Sequence, residues 1–294
     1  MRRGACLALA LSWSVLGVSL FQSSAAEPDR EALRKALSFH ASFDGQPDAD
    51  FARGDKKIHT ASNGKRTDAK PGLHRADVEI VKGKGKFGDA LRFGKNEKSV
   101  VFYQADKNMG YRDKDWSGTV SFWLSLDPDK DLQPGYCDPV QITDKKWDEA
   151  AFFVDFTKDD KPRHFRLGIY SDFKVWNPKG LKFEQVPVAD RPLSEEIKQP
   201  PFATGKWTHV LFTFANLNTG KPDGNGKLYL DGKPVAGIRD RTLTFTWEPS
   251  KAAIMLGLSY IGLFDDLAVF DRALTDDEVG MVYRLENGIR SLPK

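Results

Sequence analysis

Residues 261–279 read I-G-L-F-D-D-L-A-V-F-D-R-A-L-T-D-D-E-V, and this stretch indicates how the chain folds near its end. Its first half is apolar and aromatic, which predicts a strand over residues 263–270. Thr275 is a suitable N-cap and Glu278 completes a capping box, so a helix is expected to follow. We expect Gly288 to end that helix. The stretch therefore predicts a last strand followed by one closing helix.

The rest of the chain repeats this strand pattern in short segments that are separated by turn residues. Asp-Gly-Asn-Gly at 223–226 is typical of a turn between strands. A short helix is predicted near the N-terminus, over residues 28–37. No helix-length segments alternate with the strands, so we predict an all-β fold, a two-sheet antiparallel β-sandwich. The further predicted strands cover residues 38–43, 77–81, 89–93, 99–103, 119–126, 140–143, 151–156, 165–170, 208–214, 227–230 and 254–258.

Two long segments interrupt the strands, residues 44–75 and residues 171–206. Loops of this length in a compact domain are usually functional or disordered. Because neither a repeat nor a low-complexity tract divides the chain, we predict a single domain over residues 27–294.

The first 26 residues are typical of an export signal. Arg2 and Arg3 precede an apolar run over residues 5–21, and small residues suited to cleavage follow at 24–26. We therefore predict a signal peptide over residues 1–26 and a protein that is secreted or located in the periplasm or cell envelope. No other stretch is apolar for long enough to cross a membrane, so no membrane span is expected after cleavage.

The charge balance argues against a nucleic-acid partner. The chain has 44 Lys and Arg against 41 Asp and Glu, and removal of residues 1–26 takes away two arginines, which leaves 42 against 41. A net charge of about +1 predicts no strong attraction to nucleic acid or to an anionic membrane. Cys6 would leave with the signal peptide, so Cys137 has no partner for an internal disulfide.

Six separate stretches combine glycine, aromatic and acidic residues in a set order. They are F-D-G at 43–45, G-K-F-G-D-A-L-R-F at 85–93, G-T-V-S-F-W-L at 118–124, G-K-W-T-H-V-L-F-T-F at 205–214, G-K-L-Y-L-D-G-K at 226–233 and F-D-D-L-A-V-F-D-R-A-L at 264–274. In that order and spacing they resemble the LamG-like (laminin G, pentraxin-like) jelly-roll domains of the concanavalin A-like lectin/glucanase superfamily. The resemblance covers about residues 37–284 and implies a jelly roll. It leaves the function open, because this fold hosts lectins, adhesion modules, hydrolases and structural modules.

The resemblance also implies a structural calcium ion where the first strand's end meets the last strand. The matching positions are Asp44, Asp265 and the adjacent Asp266. Calcium prefers six to eight oxygen ligands, which a flexible loop rich in Asp and Gly can supply. The alternative is that Asp265 and Asp266 cap loops or pair with Arg92 or Arg272.

Two tryptophans are candidates for stacking on a sugar ring. Trp123 shares a strand face with Thr119, Ser121 and Ser125, and a tryptophan on a polar sheet face suits such a platform. The resemblance implies a packing role for it as the alternative. Trp176 lies in the proline-rich segment 171–206, where simpler LamG-like domains have a short connection, so it is the candidate more specific to this chain.

The sequence carries no convincing catalytic motif. The acid triplet of β-sandwich glucanases, E-x-D-x-E, occurs only at Glu27, Asp29 and Glu31. There it falls on a predicted helix, where alternate residues do not share a face. G-K-G-K-F-G at 83–88 fits a dinucleotide pattern, but a strand follows it, which indicates a turn. The histidines show no H-E-x-x-H pattern, and we expect His209 to be a hydrogen-bonded structural residue.

We therefore predict a non-catalytic, exported binding module with a carbohydrate or cell-surface ligand and a structural calcium ion. Two alternatives stay open: a structural or protein-interaction module of an envelope complex, and a polysaccharide hydrolase with a non-standard carboxylate set. The loop acids that such a hydrolase would draw on are Asp172, Glu184, Glu195 and Glu196.

Overall fold

The structure is a computed structural model that describes Met1 and residues 30–292. Apart from Met1, the predicted signal peptide lies outside the described residues, as does the predicted start of the N-terminal helix. The described part of that helix is Arg30–Ala36. The export signal and the domain boundaries therefore stay predictions.

The described residues fold into two antiparallel sheets, which confirms the predicted β-sandwich. In chain order the strands are β1 (Leu37–Ala41), β2 (Phe51–Ala52), β3 (Ile58–Ala61), β4 (Lys70–Pro71), β5 (Val78–Val81), β6 (Ala90–Phe93), β7 (Val100–Gln104), β8 (Trp116–Ser125), β9 (Cys137–Thr143), β10 (Ala151–Phe156), β11 (Phe165–Tyr170), β12 (Thr208–Leu217), β13 (Gly224–Leu230), β14 (Lys233–Arg241), β15 (Ala253–Leu258) and β16 (Gly262–Phe270). The helices are α1 (Arg30–Ala36), α2 (Pro128–Asp131), α3 (Phe173–Trp176) and α4 (Asp276–Tyr283). Single 3-10 turns lie at Phe183–Gln185, Val188–Asp190, Pro249–Lys251 and Gly288–Ser291.

The nine-stranded sheet has the order β14-β13-β12-β8-β16-β1-β2, and β5 and β6 extend it from β16. The seven-stranded sheet has the order β11-β10-β9-β15-β7-β3-β4. Strands that are distant in sequence thus become neighbours, such as β16 between β8 and β1. This crossing of connections between two sheets is typical of a jelly roll.

The core between the sheets is rich in aromatic side chains, and Trp116 lies at its centre. The Trp116 ring is fully buried, and the ring centroids of Tyr111, Phe214 and Trp247 lie 5.1, 4.9 and 4.9 Å from it. Its indole N–H donates to the carbonyl of Met109 over 3.2 Å. Edge-to-face aromatic pairs contribute about 0.5–1.5 kcal/mol each beyond the apolar area they bury. The aromatic contacts of the core therefore contribute to the stability of the sandwich.

A second apolar cluster covers the outer face of the nine-stranded sheet. In this cluster, side chains of α1, of α4 and of the C-terminal segment (residues 284–292) pack against outward-facing strand residues. Its members include Leu33, Leu211, Tyr229, Phe270, Val279, Val282, Leu285, Ile289 and Leu292. The part of this face that lies under the two helices is consequently closed to solvent and to ligands.

Helix α4 begins as the sequence predicts. The Thr275 hydroxyl accepts from the Glu278 N–H, and the Glu278 carboxylate accepts from the Thr275 N–H. Glu278 also pairs with Arg272, which holds the helix start against the end of β16. The helix ends at Tyr283, before the expected Gly288, and Gly288 instead opens a 3-10 turn.

The predicted loop over residues 44–75 is wrong in part, because it contains β2, β3 and β4. Strand β3 pairs with β7 in register from Ile58 opposite Tyr103 to Ala61 opposite Val100. Its pairing comes from the neighbouring backbone, and its four residues are too few to show an alternating pattern. Strand β14 was missed as well, because it is a partly exposed edge strand that contains Pro234 and Gly237.

His209 is a structural residue, as expected. Its ring is fully buried, and Nε2 lies 2.8 Å from the Ser121 hydroxyl. Trp123 and Tyr283 pack against the ring at centroid distances of 4.8 and 5.8 Å. Burial, with a smaller contribution from the charge of Lys86, lowers the pKa of His209 from 6.5 to about 3. The imidazole therefore stays neutral in the folded protein at physiological pH.

The low pKa of His209 predicts a loss of stability in acid. Below about pH 6.5 the unfolded chain binds a proton at this residue and the folded chain does not, so the contribution present at higher pH falls until about pH 3. At pH 5 the loss amounts to up to about 2 kcal/mol. We expect His209→Gln to reduce the fall in unfolding free energy between pH 7 and pH 5, measured by urea denaturation. The exposed control His74→Gln should leave it unchanged, and an equal fall in all three proteins would contradict this account.

Candidate ligand-binding site

The outer face of the seven-stranded sheet carries a concentration of aromatic and polar side chains. Along β10 and β11 alternate residues point away from the core, so Phe153 and Asp155 share this face with Arg166 and Tyr170. The Phe153 ring lies directly over Gly168, where a Cβ atom would come within 2.3 Å of it. Glycine at this position therefore lets the aromatic ring lie flat against the sheet.

The segment 171–206 packs over one end of this face. Its residues Trp176, Phe183 and Leu193 contact the cluster of Phe153 and Tyr170. Backbone bridges tie it to the edge strand β11, between Gly168 and Leu193 and between Phe165 and Ile197. The segment thus shields part of the sheet and forms a wall at its margin.

Between this wall and the strands lies a pocket with a volume of about 330 Å³. Its apolar lining consists of Tyr136, Trp147, Phe153, Tyr170, Phe183 and Leu258. Its main polar lining consists of Asp138, Gln141, Asp155, Lys158, Arg166 and Glu184. An aromatic cavity with a few polar groups is the usual form of a small-molecule site.

Two of the lining aromatics are unusually exposed. Tyr136 is 46% and Trp147 is 43% solvent-exposed, although large aromatic side chains normally lie buried. Trp147 is held in place by edge-to-face contacts with Tyr170 and Phe183, at centroid distances of 5.6 and 5.7 Å. The pocket therefore presents positioned aromatic surfaces to the solvent.

A buried ion pair forms part of the pocket floor. The Arg166 guanidinium donates to both oxygens of Asp155, over 2.8 and 2.7 Å, and Arg166 also lies 3.6 Å from Glu196. Asp155 is only 2% exposed. A two-bond geometry of this kind fixes both side chains, so they shape the pocket rigidly.

Asp138 supplies a second carboxyl group to the same pocket. It lies on β9, and the register places Cys137 opposite Phe156 and Val140 opposite Val154. Burial, reinforced by the negative charge of Asp155, raises the pKa of Asp138 well above its usual range. Asp138 therefore keeps its proton more readily than an ordinary carboxyl group does, and in that form it can donate a hydrogen bond.

Tyr170 is one of the lining residues, and its buried hydroxyl has no hydrogen-bond partner in the described part of the chain. The side chain is fully buried, and burial raises its pKa, so the hydroxyl is neutral. An unpaired buried hydroxyl costs free energy unless a ligand or water satisfies it. This atom is consequently a candidate contact for a ligand's polar group.

The structure corrects the interpretation of Trp123 as a ligand platform. Trp123 lies on the covered face of the nine-stranded sheet and is 3% exposed. Its ring packs against Tyr283 of α4, His209 and Phe87, with Lys86 over it at 4.8 Å. The sequence shows the polar strand face but does not show that a helix covers it, and Trp123 serves in packing.

Trp176 lies close to the pocket but not in its lining. Its indole N–H donates to the Asp148 carbonyl over 2.9 Å, and its ring contacts Tyr170 edge to face at 5.0 Å. It also borders a separate polar cavity of about 550 Å³. Trp176 thus supports the wall that carries the pocket, and its role as a ligand contact stays a prediction.

The proposed calcium ligand Asp44 has a different cation beside it. One carboxylate oxygen accepts from the Asp89 N–H over 2.8 Å, and the other pairs with the guanidinium of Arg290. Arg290 belongs to the C-terminal segment, so this ion pair ties that segment to the end of the first strand's loop. Arg92 and Arg272, the alternative partners considered for Asp265 and Asp266, pair instead with Glu79 and Glu278.

Asp265 and Asp266 are buried, and each of their oxygens has a donor. The Asp265 oxygens accept from the N–H groups of Phe87 and Asp266 over 3.0 and 2.7 Å. Those of Asp266 contact His40 Nε2 at 2.8 Å and the Ile289 N–H at 3.1 Å. Burial raises the pKa of Asp265 to about 8. These carboxylates therefore bind two loops to β16.

The three carboxylates do not fit the calcium site that the resemblance implies. A calcium ion would have to share these oxygens with the N–H groups that already donate to them, and at Asp44 it would compete with the guanidinium of Arg290. Among the described residues they are also not part of a group that brings ligand atoms of three side chains within 4.8 Å of one another.

The loop acids considered for a hydrolase do not gather at one place. Glu184 lines the pocket. Asp172 instead accepts from the N–H of Thr246, and Glu195 accepts from the N–H of Gly237. The acids that do meet in the pocket, Asp138 and Asp155, were missed because they come from strands. Alternation along β10 was the signal that could have found Asp155.

The comparisons with known proteins agree with this architecture. The Laminin_G_3 family, described as concanavalin A-like lectin/glucanases superfamily, matches residues 99–280. No curated protein matches the sequence of the chain. No helix in the described part of the chain is long and apolar enough to cross a membrane.

Several solved structures share the fold. Domain 4 of AbnA, a GH43 extracellular arabinanase from Geobacillus stearothermophilus in complex with arabinotriose, is 19% identical with a TM-score of 0.50, over 83% of this chain and 97% of that one. The binding domain of botulinum neurotoxin DC in complex with SialylT is 13% identical with a TM-score of 0.53, over 85% of this chain and 52% of that one. Trypanosoma rangeli sialidase is 14% identical with a TM-score of 0.52, over 87% of this chain and 33% of that one. This chain thus spans about a third of the sialidase, and all three likenesses show the fold alone.

The oxygens of Asp44, Asp265 and Asp266 already have hydrogen-bond or ion-pair partners, so we predict that calcium does not stabilise the protein. We expect the same melting temperature with excess calcium chloride and with EDTA, because no ligand binds the folded state at this place. Differential scanning calorimetry of the wild-type protein measures this directly. Arg290→Met is the matched variant: removing the guanidinium frees one oxygen of Asp44 and should lower the melting temperature in both buffers. A rise in the wild-type melting temperature with calcium would contradict the assignment.

Proposed function

This chain belongs to the concanavalin A-like lectin/glucanase superfamily, and we propose that it is a non-catalytic carbohydrate-binding protein. Its ligand would occupy the pocket on the outer face of the seven-stranded sheet. The observation that carries the proposal is the buried, unpartnered Tyr170 hydroxyl in a pocket with exposed aromatic rings.

The chemistry of the lining suits a sugar. Sugar rings have apolar C–H faces that stack on aromatic side chains, and Trp147 and Tyr136 offer such surfaces at the pocket mouth. Sugar hydroxyls need polar partners, which Tyr170, Gln141 and Asp138 supply. Specificity would come from these fixed polar groups and affinity from the aromatic contacts.

The electrostatics favour a neutral sugar over an acidic one. Asp155 and Arg166 neutralise each other, and Asp138 is suited to carry a proton. The charged groups left in the lining, Lys158 and Glu184, have opposite signs. The volume of about 330 Å³ lies near the lower end of the range for ligand pockets, which suits one or two sugar rings.

Two structures of the same fold that were solved with a bound ligand support the proposal. Domain 4 of the arabinanase was solved with arabinotriose, and the neurotoxin binding domain was solved with SialylT. We extend the proposal to export, since a protein that meets polysaccharide outside the cytoplasm needs a signal such as residues 1–26. A protein partner in the cell envelope is the alternative occupant of the same surface.

Hydrolysis is the second candidate, and one observation favours it. Burial raises the pKa of Asp138, and a second carboxyl group, that of Asp155, lies in the same pocket, as a general acid beside a second carboxylate requires. The position of Asp155 weighs against it, because both its oxygens are bound by Arg166. We therefore place binding first.

The Tyr170 hydroxyl gives the most specific test of binding. We expect Tyr170→Phe to weaken binding of a neutral oligosaccharide about 5- to 30-fold, as for a lost hydrogen bond of about 1–2 kcal/mol. The melting temperature should stay the same or rise, since the variant removes a hydroxyl that has no partner in the free protein. A glycan array would select the oligosaccharide, and isothermal titration calorimetry would measure its Kd.

Two further variants control this experiment. Trp147→Ala should also weaken binding, whereas Phe51→Ala should not, because Phe51 is a partly buried aromatic residue on β2 of the other sheet. The proposal is wrong if the wild-type protein binds none of a varied set of plant, algal and bacterial glycans. It is also wrong if Tyr170→Phe and Trp147→Ala both bind with wild-type affinity.

A substitution of Asp138 distinguishes the binding proposal from the hydrolase alternative. We expect the wild-type protein to release no reducing ends from any glycan that it binds, measured by a reducing-sugar assay over a long incubation. Asp138→Asn keeps a hydrogen-bond donor at this place, so it should bind with similar affinity. Release of product by the wild-type protein that Asp138→Asn abolishes would show that the hydrolase alternative is right.

A further inference from the structure

We propose that Asp160, His164 and Glu196 form a binding site for a divalent transition-metal ion such as Zn²⁺. In the described part of the chain this is the one group that brings potential ligand atoms of three side chains within 4.8 Å of one another. The site lies at the margin of the seven-stranded sheet, where the turn between β10 and β11 meets the segment 171–206.

Oxygens of both carboxylates lie close to the same ring nitrogen of His164. His164 Nδ1 lies 2.8 Å from a Glu196 oxygen and 3.7 Å from an Asp160 oxygen. The carboxylates are 40% and 42% exposed, while the imidazole is 15% exposed. One nitrogen and two oxygens with access to water suit Zn²⁺ and its neighbours, with water completing the shell.

The backbone holds two of the ligands side by side. Phe165 and Ile197 exchange both backbone hydrogen bonds, over 3.1 and 2.9 Å, and each directly follows a ligand. The His164 N–H also donates to the Thr157 hydroxyl across the β10–β11 turn. Because the positions of His164 and Glu196 are fixed before a metal arrives, binding costs little ordering of the chain.

The local charge also suits a divalent cation. The nearby carboxylates are those of Asp155, Asp160 and Glu196, and the nearby guanidinium is that of Arg166. With a neutral imidazole these groups sum to −2. A simple ion pair between His164 and Glu196 explains their own contact but leaves Asp160 directed at the same nitrogen without a further cation.

A metal at this site would act on the neighbouring pocket. Glu196 lies 3.6 Å from Arg166, and Arg166 is the residue that holds Asp155 in the pocket floor. Metal coordination by the Glu196 oxygen beside His164 would compete with the guanidinium for the charge of Glu196 and would anchor the segment 171–206 to the β10–β11 turn. The site stands apart from the sugar pocket, so it does not depend on the proposed function.

The sequence contains no motif that predicts this site. Asp160 and His164 are four residues apart in a turn, and Glu196 follows 32 residues later on a different segment. Zinc motifs such as H-E-x-x-H bring their ligands together on one element, and this group forms only through the contact between segment and turn.

Zinc titration of the untagged protein by isothermal titration calorimetry tests the proposal. We expect the wild-type protein to bind one Zn²⁺ ion, and His164→Asn and Glu196→Gln to weaken that binding at least about tenfold. The matched control is His59→Asn: His59 lies 3.8 Å from Asp55 but belongs to no such three-residue group among the described residues. This variant should bind zinc as the wild-type protein does.

Circular dichroism would verify that each variant is folded, and the melting temperature of the wild-type protein should rise with zinc. If His164→Asn does not fold, Glu196→Gln decides the matter, because its side chain is exposed and keeps its shape. The proposal is wrong if the wild-type protein binds no zinc, or if the folded variants bind it with wild-type affinity.

Discussion

The packing of α4 and the C-terminal segment onto the nine-stranded sheet determines where this protein can meet a ligand. A β-sandwich has two outer faces, and here one of them is buried under apolar side chains such as Val279, Val282 and Ile289. Burial of large apolar side chains contributes about 1.5–3 kcal/mol each, so this face does not open in the folded protein. The outer face of the seven-stranded sheet is not covered in this way, and the pocket lies there.

Buried carboxylates keep this arrangement in place. Asp265 and Asp266 are adjacent in sequence, yet both are buried, because β16 is covered on both faces from Phe264 to Phe270. The pairing with β8 shifts in register after Asp265, and Asp266 has a φ of 50°, as in a β-bulge. They bind the turn between β5 and β6 and the C-terminal segment to the last strand. On the opposite sheet, Asp155 plays a comparable part with Arg166 in the pocket floor. These three buried acidic residues thus fix structure, and Asp155 shapes the pocket floor.

The sequence predicts the sandwich and the closing helix well, because both depend on local pattern. The capping box of Thr275 and Glu278 and the apolar alternation of the long strands are visible in single segments. The pocket could not be predicted in the same way, since Asp138, Asp155, Trp147 and Tyr170 come from separate elements that only strand register brings together. Trp123 shows the opposite error: its strand face looked polar and open, and the contact with α4 that covers it is formed by residues about 160 positions later. The residues predicted to bind calcium do not fit such a site for a related reason: Arg290, which pairs with Asp44, comes from the other end of the chain.

The most direct test of the account asks which face of the sandwich a sugar touches. The indole N–H signals of the tryptophans in a ¹H–¹⁵N correlation spectrum can report this during titration with arabinotriose and other neutral oligosaccharides. Trp147 lies in the pocket and Trp123 lies under α4, so the account predicts that the Trp147 signal shifts with saturation while the Trp123 signal stays in place. A shift of Trp123 without one of Trp147 would contradict the assignment of the binding face.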